Sequence, residues 1–372
     1  MQGLDPVLGF RDVALPILLG ALLTLAGCLL LIATRRWHGH LSDDGTLGVQ
    51  KFHTIPTPRI GGLALGLAYF LLWPALPEAL RLPWGLIGIA ALLPLGAGLA
   101  EDLTGKVGVR WRLVATMGAG VVFALLTGYT MHKVYLPGVD WLLGISLVAV
   151  LFTGFAMGGV ANAINIIDGF NGLASGSLMI MLAAFAFVAH QVGDDLVFAL
   201  ALLYLGLIAG FFVLNFPFGK IFLGDGGAYF AGFLLAGLGV LLPMRNPETS
   251  AWTAILICAY PVIETLASMR RKSRRDGHSV GQPDRVHFHM LAHRRYARRI
   301  VPAEGPLHLR NPATSVVTWL LPILTGILAA LAWHSVLGSA FGFFLTVFVY
   351  SQLYRVMSLN APNLPLGLAR LL

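Results

Sequence analysis

The feature that most restricts how this chain can fold is a succession of apolar runs, each about as long as a helix that crosses a bilayer. A spanning helix needs roughly 20 mostly apolar residues, because hydrocarbon offers no water to satisfy its backbone. Charged residues make up 11% of the chain, whereas about a quarter is usual in a soluble domain. The sequence predicts an all-α integral membrane protein, a single polytopic domain over residues 1–372 with about eleven transmembrane helices. The predicted spans are 13–34, 60–77, 84–100, 112–128, 141–158, 172–190, 196–216, 228–243, 251–269, 315–334 and 337–357.

The distribution of lysine and arginine orients these spans. With the N-terminus periplasmic, all but four of the 25 lysine and arginine residues fall on the inside, the exceptions being Arg11, Arg81, Lys133 and Arg245. The positive-inside rule therefore predicts a cytoplasmic C-terminus. Topology accounts for the net charge of +8, so no nucleic-acid partner is needed. The N-terminal stretch lacks the basic start and cleavage site of a signal peptide, so we expect the first span to be permanent. The predicted cytoplasmic loops are about 35–59, 101–111, 159–171, 217–227 and 270–314.

Nearly all polar residues with chemical potential fall in these inner loops, although only lysine and arginine set the topology. Glu101 and Asp102 close the third predicted span, where carboxylates meet the unfavourable negative end of a helix dipole. They could gather around a divalent cation or a transferring phosphoryl group. Alternatively, they are interfacial turn residues that pair with Lys106 or Arg110.

A second inner loop carries a dense run of amides. Asn162, Asn165 and Asp168 are spaced by three residues, so they share one helical face. Gly169 allows the backbone to approach a ligand closely, and the amide of Asn171 suits the edge of a nucleobase. Polar contacts between helices are the alternative role for these side chains.

Asp225 lies just before the eighth predicted span. It could be the N-cap of that helix or a ligand of Mg²⁺, which commonly takes one or two protein carboxylates together with substrate phosphates. Phe222, three residues earlier, could stack on a base or face lipid.

The last inner loop is rich in arginine and histidine. Arg285, His287 and His289 suit a phosphate grip better than a zinc site, because no cysteine lies nearby. A basic amphipathic helix on anionic lipid is the alternative for the neighbouring residues 290–299. Glu264, inside the ninth predicted span, is expected only to pair with a neighbouring helix.

These loops, in this order, resemble the polyprenyl-phosphate N-acetylhexosamine-1-phosphate transferases. The resemblance rests on NAINIIDGFNGLA (162–174), FLGD (222–225) and the histidine-containing loop. It implies transfer of an N-acetylhexosamine 1-phosphate, by default GlcNAc 1-phosphate, from a UDP-sugar to undecaprenyl phosphate with release of UMP. It also implies a bacterial inner-membrane enzyme with a cytoplasmic active site, which starts a lipid-linked envelope glycan such as O-antigen.

The resemblance also implies roles for individual residues. The catalytic set is Glu101, Asp102 and Asp168; the ligands of Mg²⁺, with Mn²⁺ as an alternative, are Asp225 and Asn165. The nucleotide site is formed by Phe222, Asn171, Gly169 and Asn162, and the phosphate and sugar site by Lys51, Arg112, Arg285, His287 and His289.

Three positions depart from the family pattern. Glu101 replaces an aspartate, Met290 replaces a histidine found in many members, and Asn171 stands where many bacterial members carry aspartate. The loop lacks the triple histidine of the enzymes that use a pentapeptide substrate, which argues against that donor. QuiNAc or FucNAc donors stay open, as does a homodimer.

Two other classes of protein compete with the transferase. A secondary transporter would place polar groups near the membrane midplane in two corresponding halves, and the sequence shows no such repeat. A non-catalytic scaffold for glycan assembly would not need carboxylates and amides at ligand spacing.

Overall fold

The structure, a computed structural model, describes residues 9–44, 57–273, 286–302 and 305–359. It confirms an all-α chain, apart from one two-stranded antiparallel ladder in which β1 (Asp43–Asp44) pairs with β2 (Thr57–Pro58). From the N-terminus, the first helices are α1 (Phe10–Ala33), α2 (Arg35–Ser42), α3 (Gly61–Leu72), α4 (Glu78–Thr104), α5 (Val109–Thr127), α6 (Pro137–Leu143) and α7 (Ser146–Ile167). The remaining helices are α8 (Leu173–Gln191), α9 (Asp195–Asn215), α10 (Gly224–Arg245), α11 (Ala251–Ile257), α12 (Ala259–Ser273), α13 (Phe288–Ala292), α14 (Arg298–Ile300), α15 (Arg310–Thr318), α16 (Leu320–Ala332) and α17 (Val336–Leu359).

Nine helices in the described part of the chain are long and apolar enough to cross a bilayer. A tenth crossing results if α11 and α12 form one span, and the predicted span 60–77 corresponds to a shorter apolar helix, Gly61–Ala75. A polytopic helical membrane protein is thereby confirmed. The number of eleven spans and the orientation of the termini stay predictions.

The predicted ninth span, 251–269, is not one continuous helix. α11 and α12 meet at a bend of 80°. Pro261 explains the break, because a proline ring clashes with the carbonyl group four residues earlier, here that of Ile257, the last residue of α11. The prediction of an unbroken helix over 251–269 is therefore wrong.

Helix α10 forms the centre of the bundle, and 89% of the residues in its most apolar stretch are buried. It packs against α3, α4, α7, α8, α9 and α11. Close packing with α3 depends on Gly62, where a Cβ would lie only 2.1 Å from the backbone nitrogen of Gly227. In the outer helices α1 and α17, only 22% and 28% of the residues in the most apolar stretch are buried. Their exposed leucines and phenylalanines suit contact with lipid.

The two ends of the bundle differ in chemistry. At one end, Asp194 caps α9 by accepting from the Val197 N–H, and it also accepts hydrogen bonds from Arg245 and Asn246 at 2.8 Å each. The opposite end brings together the C-terminal ends of α4, α7 and α9 with the N-terminal ends of α5 and α10. The predicted inner loops 101–111, 159–171 and 217–227 therefore meet at one end of the molecule.

Candidate functional site

Asp225 lies at the centre of this end, in the first turn of α10, with its side chain only 4% exposed. Arg59 contacts its Oδ1 at 2.5 Å, and Arg112, at the start of α5, forms an ion pair with Oδ2. Asn165, near the end of α7, donates its Nδ2 hydrogen to Oδ1 at 3.1 Å. Three separate segments thus converge on one buried carboxylate.

Asp102 holds the helix that carries Asp225. Its Oδ1 accepts the backbone N–H of Asp225 and its Oδ2 that of Gly226, both at 2.8 Å. The first N–H groups of a helix have no partner within the helix, and its N-terminus attracts negative charge. Asp102 therefore caps α10 from a neighbouring helix. The interpretation of Asp225 as the N-cap is wrong, because Leu223 occupies that position and Asp225 is the second residue of α10.

Gly224 makes this arrangement sterically feasible. Its φ is +74°, and a Cβ there would lie 2.3 Å from the carbonyl oxygen of Arg59 and 2.6 Å from Oδ2 of Asp102. The glycine of the FLGD motif is thus required both by its backbone conformation and by the close approach of two site residues.

Backbone hydrogen bonds join the turn that carries Arg59 to the segment before α10. Phe222 donates its N–H to the carbonyl of Pro58 at 2.8 Å, and Gly61 donates to the carbonyl of Phe222 at 2.9 Å. Phe222 is half-buried, and this pairing fixes its backbone. Arg59 is the site residue that sequence reasoning missed. In the sequence it is one of the lysine and arginine residues of the inner loops, and its position in PTPRIGG (56–62) was the available signal.

Asp168 follows the last residue of α7, where its carboxylate has no hydrogen-bond partner among the described residues. Burial raises the pKa of Asp168 to about 7, although the charge of Arg59 acts in the opposite direction. It is close enough to Asp102 to interact with it electrostatically. An acid with this pKa can take up or release a proton near neutral pH.

The turn from Asp168 to Gly172 is held by α15. Asn171 donates its N–H to Oδ1 of Asn311 at 2.7 Å and accepts from the hydroxyl of Ser315 at 2.7 Å. The Nδ2 group of Asn171 donates to the carbonyl of Pro217 at 3.1 Å. The predicted role of Asn171 at a nucleobase stays a prediction, and its amide has a protein partner in this structure.

Asn162 lies one turn further from Asp225 than Asn165. Its Nδ2 donates to the hydroxyl of Thr116 at 2.8 Å and to the carbonyl of Gly158 at 2.7 Å. These contacts link α5 to α7. Glu101 is likewise tied to the protein, since its Oε2 accepts the N–H of Val107 at 2.7 Å. Both residues therefore support the loops around the site, whatever further role they have.

The histidine loop reaches the same end. Nε2 of His289 would lie 3.0 Å from a Cβ on Gly169, and its ring is 5.6 Å from that of Phe170. His287 stacks on His289 at 5.3 Å. His293 stacks on Phe170 at 5.1 Å. Burial, together with nearby arginines, lowers the pKa of His293 to about 4, so it is neutral at physiological pH. Lys51 and Arg285 lie outside the described residues.

The donor set suits a hard cation that keeps open positions for substrate. No group of three or more His, Cys, Asp or Glu side chains that could hold a metal ion is found in the described ranges, so a protein-only cage is not formed there. Asp225 and Asn165 instead place a carboxylate beside a side-chain amide, whose nitrogen faces the carboxylate and whose Oδ1 accepts from the hydroxyl of Tyr229 at 3.4 Å. This set fits Mg²⁺, which often takes one or two protein carboxylates and completes its shell with phosphates and water.

The fold and the site together define an integral membrane protein with buried acids, arginines and amides at one end of its bundle. Residues 84–242 match the family described as glycosyl transferase family 4. The chain is 28% identical over 246 residues to the probable undecaprenyl-phosphate N-acetylglucosaminyl 1-phosphate transferase of Bacillus subtilis (strain 168), covering 64% of this chain and 66% of that protein. It is 31% identical over 241 residues to the phospho-N-acetylmuramoyl-pentapeptide-transferase of Lactococcus lactis subsp. cremoris (strain MG1363), covering 62% and 68%.

A third relative is the decaprenyl-phosphate N-acetylglucosaminephosphotransferase of Mycobacterium tuberculosis (strain CDC 1551 / Oshkosh), 29% identical over 275 residues, with 64% of this chain and 66% of that protein covered. The matches with the Bacillus and mycobacterial proteins thus span just under two thirds of those relatives' length. The match with the lactococcal protein covers more than two thirds of that relative, at 31% identity. The chain belongs to the polyprenyl-phosphate N-acetylhexosamine-1-phosphate transferase family.

Proposed function

We propose that this protein transfers an N-acetylhexosamine 1-phosphate, GlcNAc 1-phosphate by default, from a UDP-sugar to undecaprenyl phosphate and releases UMP. The observation that carries the proposal is the cluster of Asp225 with Arg59, Arg112 and Asn165, buried at one end of a membrane bundle. Arginine pairs closely with carboxylate and phosphate alike. The two guanidinium groups can therefore exchange the carboxylate of Asp225 for the oxygens of a pyrophosphate.

In this proposal, an oxygen of the lipid phosphate attacks the β-phosphorus of the UDP-sugar. The new P–O bond joins the lipid to the sugar phosphate, while the bond between the β-phosphorus and the bridging oxygen breaks, and UMP departs with the electron pair. Arg59 and Arg112 offset charge on the pyrophosphate as the leaving group forms. Asp225 and Asn165 would hold Mg²⁺, with Mn²⁺ as an alternative, which when bound supplies further charge neutralisation at the pyrophosphate.

Asp168 and Asp102 then have different tasks. A phosphate monoester has a second pKa of about 6, so part of the lipid phosphate still carries a proton near neutral pH. Asp168, with a pKa of about 7 and no hydrogen-bond partner among the described residues, suits the acceptance of that proton. Asp102 is committed to the first N–H groups of α10, so it positions Asp225 and does not move a proton.

The names of the relatives and the sequence support this donor and this cellular setting. The Bacillus and mycobacterial relatives are named for N-acetylglucosamine, and the lactococcal relative for a pentapeptide-bearing sugar. The histidine loop lacks a triple histidine, which favours the simple sugar. The positive-inside rule predicts that the site faces the cytoplasm, which supports a role in the first step of a lipid-linked envelope glycan such as O-antigen at the bacterial inner membrane.

The test uses purified full-length protein in liposomes containing undecaprenyl phosphate. A panel of UDP-sugars labelled in the sugar, including GlcNAc, QuiNAc, FucNAc and MurNAc-pentapeptide, is supplied with Mg²⁺. We expect organic-extractable label and an equal amount of UMP from UDP-GlcNAc. Water-soluble label protected inside the liposomes would instead indicate a transporter. Label that neither enters the liposomes nor becomes organic-extractable would indicate a scaffold. Either result would overturn the proposal.

A further inference from the structure

Glu264 is a fully buried carboxylate whose place in the reaction has not been explained. Its side chain is 0% exposed. Oε1 accepts from Nδ1 of His287 at 2.8 Å and from Arg271 at 3.2 Å. Oε2 accepts from the N–H of Phe288 at 3.1 Å and from the hydroxyl of Tyr350 at 2.6 Å. Helices α12, α13 and α17 thus meet at this one carboxylate.

Four hydrogen bonds to one buried carboxylate are more than the pairing of two helices requires. A charge inside a membrane bundle is costly and persists where it is paired and serves a function. An ionised carboxylate has only acceptor sites, so the nitrogen of His287 that faces Glu264 must carry a hydrogen. The contact therefore selects one form of the ring, in which Nδ1 is the donor and Nε2 is left to meet another group.

His287 lies beside the site already described. Its ring stacks on His289 at 5.3 Å with the ring planes 14° apart. Nε2 of His289 in turn lies against Gly169, next to Asp168. The side chain of His287 is 8% exposed, so its orientation is fixed by its contacts and not by solvent. Among the described residues, His287 is thereby the side chain that connects Glu264 by a hydrogen bond to the site.

We propose that Glu264 is a positioning residue for the transfer reaction: it fixes His287 in the form in which Nε2, as a hydrogen-bond acceptor, faces a hydroxyl group of the phosphorylated sugar. This rests on the proposed function. Histidines that bind metal ions are commonly oriented by a carboxylate on the other ring nitrogen, and losing that partner typically lowers affinity or activity about 10-fold to 100-fold; we expect a similar loss where the histidine binds a substrate. Glu264 itself contacts no substrate in this scheme.

The main variant is Glu264→Gln, which keeps the size of the side chain. All four partners of Glu264 present a hydrogen, so the amide NH₂ of glutamine would face a donor in either orientation. We expect kcat/KM for the UDP-sugar to fall about 10-fold or more. His287→Asn is the partner variant, because the amide nitrogen of asparagine can replace Nδ1 towards Glu264 but offers nothing in place of Nε2.

A double-mutant cycle separates positioning from structural support. If Glu264 acts through His287, adding Glu264→Gln to His287→Asn lowers kcat/KM less than about two-fold. Asp194→Asn is the matched control, since Asp194 is also buried, also accepts from an arginine and lies at the opposite end of the bundle. We expect it to lower the Tm comparably while kcat/KM stays unchanged.

A second readout does not depend on activity. Nitrogen-15 NMR of histidine-labelled full-length protein in lipid reports which nitrogen of His287 carries the hydrogen. We expect hydrogen on Nδ1 in the wild type and a mixture of forms in Glu264→Gln. Fully additive losses in the cycle, or an unchanged NMR pattern in Glu264→Gln, would overturn the inference. A wild type that transfers no label would defeat the proposed function, while the NMR result would still decide the role of Glu264.

Discussion

The carboxylate of Asp102 accepts the backbone N–H of Asp225 at 2.8 Å, across 123 positions of sequence. The link means that one acid of the site sets the position of another. Asp102 satisfies the start of α10, and the same turn of α10 then directs the carboxylate of Asp225 towards Arg59 and Arg112. The two acids are thus not interchangeable ligands: one supports the helix, and the other is available to the substrate or a cation.

Asp102→Asn should therefore damage both stability and transfer. Asparagine keeps one acceptor but turns an NH₂ group towards a backbone N–H, and losing a cap costs about 1 kcal/mol. We expect a lower Tm and a loss of transfer of at least about 100-fold, because a misplacement of Asp225 by about 1 Å costs that much. Thermal unfolding and initial rates measure the two effects. A rate within a factor of about three of the wild type, alongside a lower Tm, would restrict Asp102 to a structural role.

Gly224→Ala tests the close approach of Arg59 and Asp102 to the backbone of the FLGD motif. The new Cβ would clash with both, and the left-handed φ of +74° would strain an alanine. We expect transfer to fall by more than about 10-fold and the Tm to drop. Gly96→Ala is the matched control on α4, because a Cβ there meets nothing within 4 Å. Equal behaviour of the two variants would contradict the packing described here.

The pKa of Asp168 predicts a dependence of stability on pH. Burial raises this pKa from 3.8 to about 7, so the folded protein holds a proton that the unfolded chain releases above about pH 4. The contribution of Asp168 is therefore least unfavourable at low pH, and stability is lost as the pH rises through about 7.

Asp168→Asn removes that ionisation. We expect the variant to have a higher Tm than the wild type at pH 8, with a smaller difference at pH 5, while transfer is lost because the proton acceptor is gone. Thermal unfolding at the two pH values is the measurement. A Tm difference that does not change with pH would show that the pKa of Asp168 is not raised.

Asn311→Ala tests whether α15 holds the turn at Asn171. The variant leaves the N–H of Asn171 without its partner, which costs about 1 kcal/mol or roughly five-fold in binding. We expect KM for the UDP-sugar to rise by about that factor with kcat nearly unchanged. Ser335→Ala, which removes a comparable side-chain bond to the Gly338 N–H elsewhere in the bundle, should leave KM as it is. A changed kcat with an unchanged KM would argue against a role at the nucleotide.

Sequence patterns predicted the helical membrane class and the gathering of inner loops, because hydropathy and the placement of lysine and arginine are local properties of the chain. The pairing of Asp225 with Asn165 was implied by the family resemblance. The division of labour between Asp102 and Asp225 could not be predicted, since it depends on a contact between α4 and α10 that no local pattern encodes. Arg59 was missed although its place in PTPRIGG was a signal, because its contact with Asp225 joins distant parts of the chain.

Other outcomes turn on single residues whose effect is visible only in three dimensions. The bend of 80° at Cys258 follows from Pro261, and proline was available as a signal within the predicted ninth span. Glu264 was expected to pair with a neighbouring helix. It does so through Tyr350 on α17, but it also binds His287. That second contact required the fold of the histidine loop, which sequence spacing does not give.

The most direct test of the account is transfer by Asp225→Asn. Purified variant and wild type, each in liposomes with undecaprenyl phosphate, Mg²⁺ and a UDP-GlcNAc labelled in the sugar, are compared for organic-extractable label, with Asp194→Asn as the control for loss of a buried, arginine-paired carboxylate. The account predicts that Asp225→Asn stays folded and inserted but falls below about 1% of the wild-type rate, since a charge that meets the transition state typically contributes 100-fold or more, while Asp194→Asn keeps its rate. Full transfer by Asp225→Asn would contradict the account, because the carboxylate on which Arg59, Arg112 and Asn165 converge would then have no part in the reaction.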